Sequence, residues 1–138
     1  MAPQASLEIF ERAARAQGRI LRVEADRAGA LARVLALTFD VGRILLRSED
    51  GEVRVEAVPD RDALPAGLVR LDEEEPWWRV LGQPLTAAWP ARGGEAIDGA
   101  PGDGLPALKL RFRESDRNPR IIALTSAGPA LRVALEGN

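Results

Sequence analysis

The sequence predicts a single α+β domain: a mostly antiparallel sheet of six or seven strands, one N-terminal helix and a short helical turn beside a tryptophan cluster. Three observations carry that expectation. Leu7, Phe10 and Ala14 recur at helical spacing near the N-terminus only. From Arg19 onward the apolar period falls to two, the signature of half-buried strands. Short Gly-containing turns separate these runs, and strands joined by short turns form antiparallel meanders.

The helix is expected at about 6–17, with Ser6 as N-cap, Glu8 and Glu11 in the positive early turns and Gly18 as the stop. A first strand then alternates Leu21, Val23 and Ala25 against Arg22, Glu24 and Asp26, and turns at Gly29. Leu31, Arg33, Leu35, Leu37 and Phe39 alternate next, although the Ala and Leu density at 31–40 also suits a helix. Arg43 to Arg47 leads into Glu49-Asp50-Gly51, a hairpin signal, followed by Val53, Val55 and Ala57 on one face. Pro59 to Glu75 reads as a connection. Pro76 can open a helical turn carrying Trp77 and Trp78, Gly82 ends it, and Pro84 to Trp89 continues as a strand. Five Gly and two Pro between 92 and 106 predict a flexible surface loop. Leu108, Leu110 and Phe112, then 120–125, then Leu131, Val133 and Leu135 read as three terminal strands.

Composition narrows the chemistry. The 138 residues include no His, no Cys and no Tyr, a single Lys against 18 Arg, and a formal net charge of −2. His and Cys supply most nucleophile, base and soft-metal chemistry, so triads, Cys–His dyads, structural zinc and disulfides are excluded. A chain of this size buries about two-thirds of its unfolded surface and folds without staples. Its apolar runs are too short to span a bilayer. Met1 to Leu7 lacks the basic and apolar regions of a secretory signal, so a cytoplasmic location is expected. The Arg surplus reads first as GC-rich codon bias, not as a choice of chemistry.

Three constellations are candidates. Trp77, Trp78 and Trp89 serve either as core plugs or as aromatic anchors in an interface. One of the neighbours Trp77 and Trp78 is expected in the core and the other near the surface, and Trp78 and Trp89 are expected to close over the core. Lys109, Arg111 and Arg113 form a basic strand stripe, with Arg120 and Arg132 on adjacent strands. Phosphate binding uses such a stripe, but base-stacking aromatics are absent from it and acids flank it, so a solvated face with ion pairs competes. The acids Asp72, Glu73, Glu74 and Glu75, with Asp98 and Asp103, offer oxygen ligands without the spacing of a calcium loop. Ser48 or Ser126 as a nucleophile would need Lys109 as base, and no Ser-x-x-Lys spacing supports that.

The block Trp78-Arg79-Val80-Leu81-Gly82-Gln83-Pro84-Leu85, with Trp89, Asp103-Gly104, Leu108-x-Leu110-x-Phe112 and Ile121-Ile122-Ala123-Leu124, resembles a small bacterial domain family of unknown function. That family has a W-R-x-x-G-x-P-L-x-x-x-W core, an Asp-Gly and two terminal strands. The resemblance covers about residues 76–136, and the insert at 92–106 is longer than the family pattern. It implies fold boundaries and no activity, cofactor or catalytic residue.

The expectation is therefore a non-enzymatic, cofactor-free cytoplasmic interaction domain of accessory, adaptor or immunity type. It binds another protein through a sheet face or the Trp-bearing edge, with Trp77, Trp78, Trp89, Lys109, Arg111 and Arg113 as candidate interface residues. Oligomeric state is left open by the sequence, although an uncovered edge strand such as 131–136 would favour a symmetric homodimer, and no membrane is involved. The alternatives are a nucleic-acid-binding module using the basic strand face, which the negative net charge disfavours, and a carboxylate-based Mg²⁺- or Ca²⁺-dependent enzyme.

Overall fold

The structure is a computed structural model that describes residues 5–28, 31–49, 52–59, 62–74, 77–92, 95–96, 104–105, 107–113, 120–127 and 130–136. Among the described residues 66% lie in strands and 10% in helix, so the expected α+β class is corrected: the domain is a mostly antiparallel sheet carrying one helix. Helix α1 (Ala5–Arg15) is followed by β1 (Ile20–Ala28), β2 (Leu31–Phe39), β3 (Gly42–Glu49), β4 (Glu52–Val58) and β5 (Val69–Arg70). A 3-10 turn (Trp77–Arg79) precedes β6 (Leu85–Arg92), β7 (Glu95–Ala96), β8 (Gly104–Leu105), β9 (Ala107–Phe112), β10 (Arg120–Ala127) and β11 (Ala130–Glu136). The helical reading of 31–40 is not realised. The loop expected at 92–106 holds β7 and β8, and residues 93–94, 97–103 and 106 lie outside the described residues.

The sheet runs β7-β6-β9-β10-β11-β2-β3-β4-β8, with β1 beside β2 and β5 beside β1. Hairpin pairing holds β1–β2, β2–β3, β3–β4 and β10–β11 in antiparallel register. β11 pairs β10 on one side and meets β2 at Leu131–Ala32 on the other, so the edge expected to extend a dimer is engaged at its start. β1 takes one edge of β2 throughout, hence β11 and β3 share the opposite edge in tandem. Where those two hairpins abut, the hydroxyls of Ser48 and Ser126 hydrogen-bond to each other.

Three residues are extra in their ladders: Leu21 in β1, Arg33 in β2 and Thr86 in β6, each at a register shift. Such bulges bend a strand and raise its twist. Here they accompany a sheet curled into a half-barrel. The bulges also overturn the strict alternation expected of β1 and β2. Leu21 is 51% exposed while Ile20 and Val23 are buried, and Ala32 is buried where Arg33 is exposed.

The curl is tied by backbone bonds near the start of β1. The Gly82 N–H donates to Ile20 O (2.7 Å), Ile20 N–H to Gln83 O (3.3 Å) and Leu85 N–H to Gly18 O (2.8 Å), with a bridge between Arg19 and Pro84. Gly82 adopts φ +82°, a left-handed conformation that suits glycine. Further along β1, Leu71 N–H donates to Val23 O, and Asp72 Oδ1 accepts from Val23 N–H at 2.7 Å.

α1 packs on β6 and β4, across the open side of the half-barrel. Phe10 enters the core with Ile20, Leu35, Leu37, Leu46, Leu85, Leu108, Leu110, Ile122 and Leu124. Phe39 and Phe112 stack at 6.5 Å between ring centroids. Apolar burial of this kind stabilises a fold by about 25 cal/mol per Å². The sheet's inward residues and one helix stripe therefore build one core, consistent with their sequence periods. Among the described residues no helix is long and apolar enough to cross a membrane.

Candidate functional site

Register places three of the six candidate residues on one surface. Leu108, Leu110 and Phe112 of β9 point into the core, so Lys109 and Arg111 take the outer face. The bulge at Thr86 shifts β6 so that Ala88 packs toward the core, and Trp89 lies directly opposite Lys109 on the outside. Lys109 in turn pairs with Ala123, and Ala123 with Ala134. One outer row therefore reads Trp89, Lys109, Ala123, Ala134 across β6, β9, β10 and β11. The next row reads Ala87, Arg111, Ile121, and the row on the other side Ala107, Thr125, Arg132.

Directly opposed residues stand about 5 Å apart, close enough to act as one surface. Ala107 and Ala123 are both buried, so the part of this face open to solvent is carried by Arg111, Arg132 and Ala134. Trp89, Ile121 and Thr125 are half-buried around it, and Arg111 and Arg132 are exposed. Arg111 is held in place: its Nε donates to Thr86 Oγ1 at 3.0 Å, and the Thr86 hydroxyl donates to Arg111 O at 3.1 Å. Lys109 is only 8% exposed. In the register it stands between Trp89 and Ala123.

The other candidates lie elsewhere. Arg113 follows β9 and is exposed, its N–H donating to Pro84 O. Trp77 is 1% exposed and part of the core, whereas Trp78 is 50% exposed with the Arg79 guanidinium 4.5 Å from its ring. The expectation that Trp78 and Trp89 close over the core is thus corrected: Trp77 does so, because the 3-10 turn gives adjacent residues different directions, and Trp89 lies on the outer face of the sheet opposite Lys109. Trp78 N–H donates to Glu74 O and anchors the turn.

The basic stripe is interrupted. Lys109 is largely covered, and Arg120 pairs with the core-facing Phe112, which puts it on the opposite side of the sheet from Arg111. Ser126 shares the inward parity of Ile122 and Leu124, while Lys109 faces outward, so sheet geometry separates that hydroxyl from the single lysine. The acidic run is engaged in structure. Asp72 Oδ2 accepts from Arg70 Nε at 2.8 Å, and Glu74 pairs with Arg27 at 2.8 Å. Glu75, Asp98 and Asp103 lie outside the described residues. Among the described residues no group of three or more acidic side chains is placed to hold a metal ion.

Ala107, Ile121, Ala123 and Ala134 are not among the candidates drawn from the sequence, yet register puts them on the same outer rows. The signal that points to them is their outward parity on three successive strands. No family model, curated protein or solved structure matches the chain.

Proposed function

We propose that this chain is a non-enzymatic interaction domain that docks another protein on the outer face of β6, β9, β10 and β11. The observation that carries the reading is the cross-strand row Trp89, Lys109, Ala123, Ala134. A half-buried indole on the same face as the exposed Arg111, Arg132 and Ala134 offers an anchor, and Trp and Arg are among the residues most enriched at interface hot spots. Arg111, fixed by Thr86, adds an ordered cation whose side chain loses little further freedom on binding. The three strand spacings from β6 to β11 make the patch about 14 Å wide, which suits the centre of an interface of roughly 800 Å² per partner. An accessory, adaptor or immunity-type role in the cytoplasm fits a chain without Cys.

Site-specific photocrosslinking in the source cell tests this reading. A photoreactive residue at the exposed position 134 is expected to capture a discrete protein adduct, and one at the exposed Glu73 is not. Equal capture at both positions, or none at 134, would count against the face.

A further inference from the structure

Ion pairing is uneven across the outer face of the sheet. On β1 to β4 it holds Arg33 3.8 Å from Asp26, Arg47 2.7 Å from Glu56 and Arg54 3.8 Å from Glu52. On β9 and β11, by contrast, Arg111 and Arg132 are exposed, and among the described residues neither pairs with a carboxylate. Among the described residues the one acid at outward parity on β6, β9, β10 and β11 is Glu136, which register sets two strands from Arg111 and four residues along β11 from Arg132.

The bulge in β6 serves this face. Thr86 has no partner opposite it in β9, and its hydroxyl meets Arg111 twice, accepting from Nε at 3.0 Å and donating to the carbonyl at 3.1 Å. Bulges re-aim side chains in this way. With Nε held, the two terminal nitrogens of Arg111 keep the end-on fork that matches a carboxylate. Arg132 stands two strands and four residues away, about 17 Å by sheet spacings. Two permanently charged guanidiniums without acids of their own are complementary to carboxylates brought by a partner. We infer that the docking face selects an acidic protein segment whose carboxylates pair with Arg111 and Arg132, and that Thr86 is the positioning residue for Arg111. The inference rests on the docking reading for its face and adds the chemistry of the partner. A nucleic-acid strand suits the face less well, because two cations that far apart leave most of its phosphates unmatched and the chain carries a net charge of −2. Ala134 lies in the row between those of the two arginines, so a bulky side chain there obstructs a segment that spans them even when it adds a cation.

The test is fluorescence anisotropy of a labelled, capped octaglutamate titrated with the full chain in ~20 mM salt, where screening sets in only beyond about 20 Å. A Kd near ~100 µM is expected, rising at least about tenfold in ~200 mM salt. Arg111→Gln and Arg132→Gln should each weaken binding about fivefold, the scale of an exposed ion pair. Arg47→Gln makes the same change in net charge at a cation already matched by Glu56, and should leave Kd within about twofold. Thr86→Val should weaken binding about threefold, and not at all in the Arg111→Gln background, a non-additivity that a merely structural role would not produce. Arg47, Arg111 and Arg132 are exposed, so their variants keep the test readable if Thr86→Val misfolds. Absence of octaglutamate binding at ~1 mM chain, equal losses at Arg47 and Arg111, or tighter binding of a labelled octathymidylate would overturn the inference. Octaglutamate left unbound while position 134 captures a partner would strike this inference and spare the docking reading. The reverse pattern would keep the acid-binding arginines and strike the docking reading.

Discussion

Trp77→Ala and Trp78→Ala should differ sharply although the two residues are neighbours. Trp77 is 1% exposed and its removal leaves a void in the core, for which aromatic-to-Ala substitutions cost about 3–5 kcal/mol. Trp78 is half exposed, and its loss sacrifices partial burial and the Arg79 contact, about 0.5–1 kcal/mol at such a site. At about 2.1 cal/mol/K per residue, a domain of this length shifts by about 3–4 °C per kcal/mol. Trp77→Ala should therefore lower Tm by about 10–17 °C, and Trp78→Ala by less than about 4 °C. Differential scanning calorimetry reads both, and acrylamide quenching of the single-Trp78 protein should be strong. Equal losses, or a larger loss at Trp78, would refute the orientation of the 3-10 turn.

Gly82→Ala should cost about 1–2 kcal/mol through backbone strain alone, because no atom lies within 4 Å of the added Cβ. Denaturant unfolding with an unchanged m-value checks it. Asp72→Ala removes the acceptor for Val23 N–H and Arg70, and a loss of about 1–3 kcal/mol is expected, against almost none for the exposed Glu73→Ala. A double-mutant cycle of Ser48→Ala and Ser126→Ala should return a coupling of about 0.5–1.5 kcal/mol, and zero coupling would deny the stitch between the two hairpins.

Much of the sheet is legible in the sequence because its determinants are local. Alternation in 108–112 and 131–135 marks the inward residues, and Glu49 pairs with Glu52 at the hairpin signalled by Asp50-Gly51. The bulges are not legible. A single extra residue at Leu21, Arg33 or Thr86 reverses the parity of the rest of its strand, and nothing in hydropathy marks that position. Sequence reading gives helix too much weight because a lone 11-residue helix is easily recognised, whereas β5, β7 and β8 are two-residue pairings, two of them set by partners far along the chain.

The site is legible in part. Outward parity on β9 places Lys109 and Arg111 together, but the meeting with Trp89 depends on the bulge in β6 and on a pairing across 20 residues. Burial of Lys109 is likewise a tertiary outcome: cation counts in the sequence suggest an exposed stripe, whereas that residue is only 8% exposed in the fold. The Ser48–Ser126 contact joins residues 78 positions apart and exists only because β3 and β11 share one edge of β2.

The docking face is tested most directly by titrating a partner captured by the wild-type chain against Ala134→Arg. Ala134 is exposed and lies in the row of Trp89, Lys109 and Ala123, so an arginine there alters the face without entering the core and Tm should hold. The partner's Kd should rise by about 100-fold, ~2.8 kcal/mol, while Glu73→Ala binds as the wild type does. Unchanged affinity for a correctly folded Ala134→Arg protein would contradict the assignment of this face.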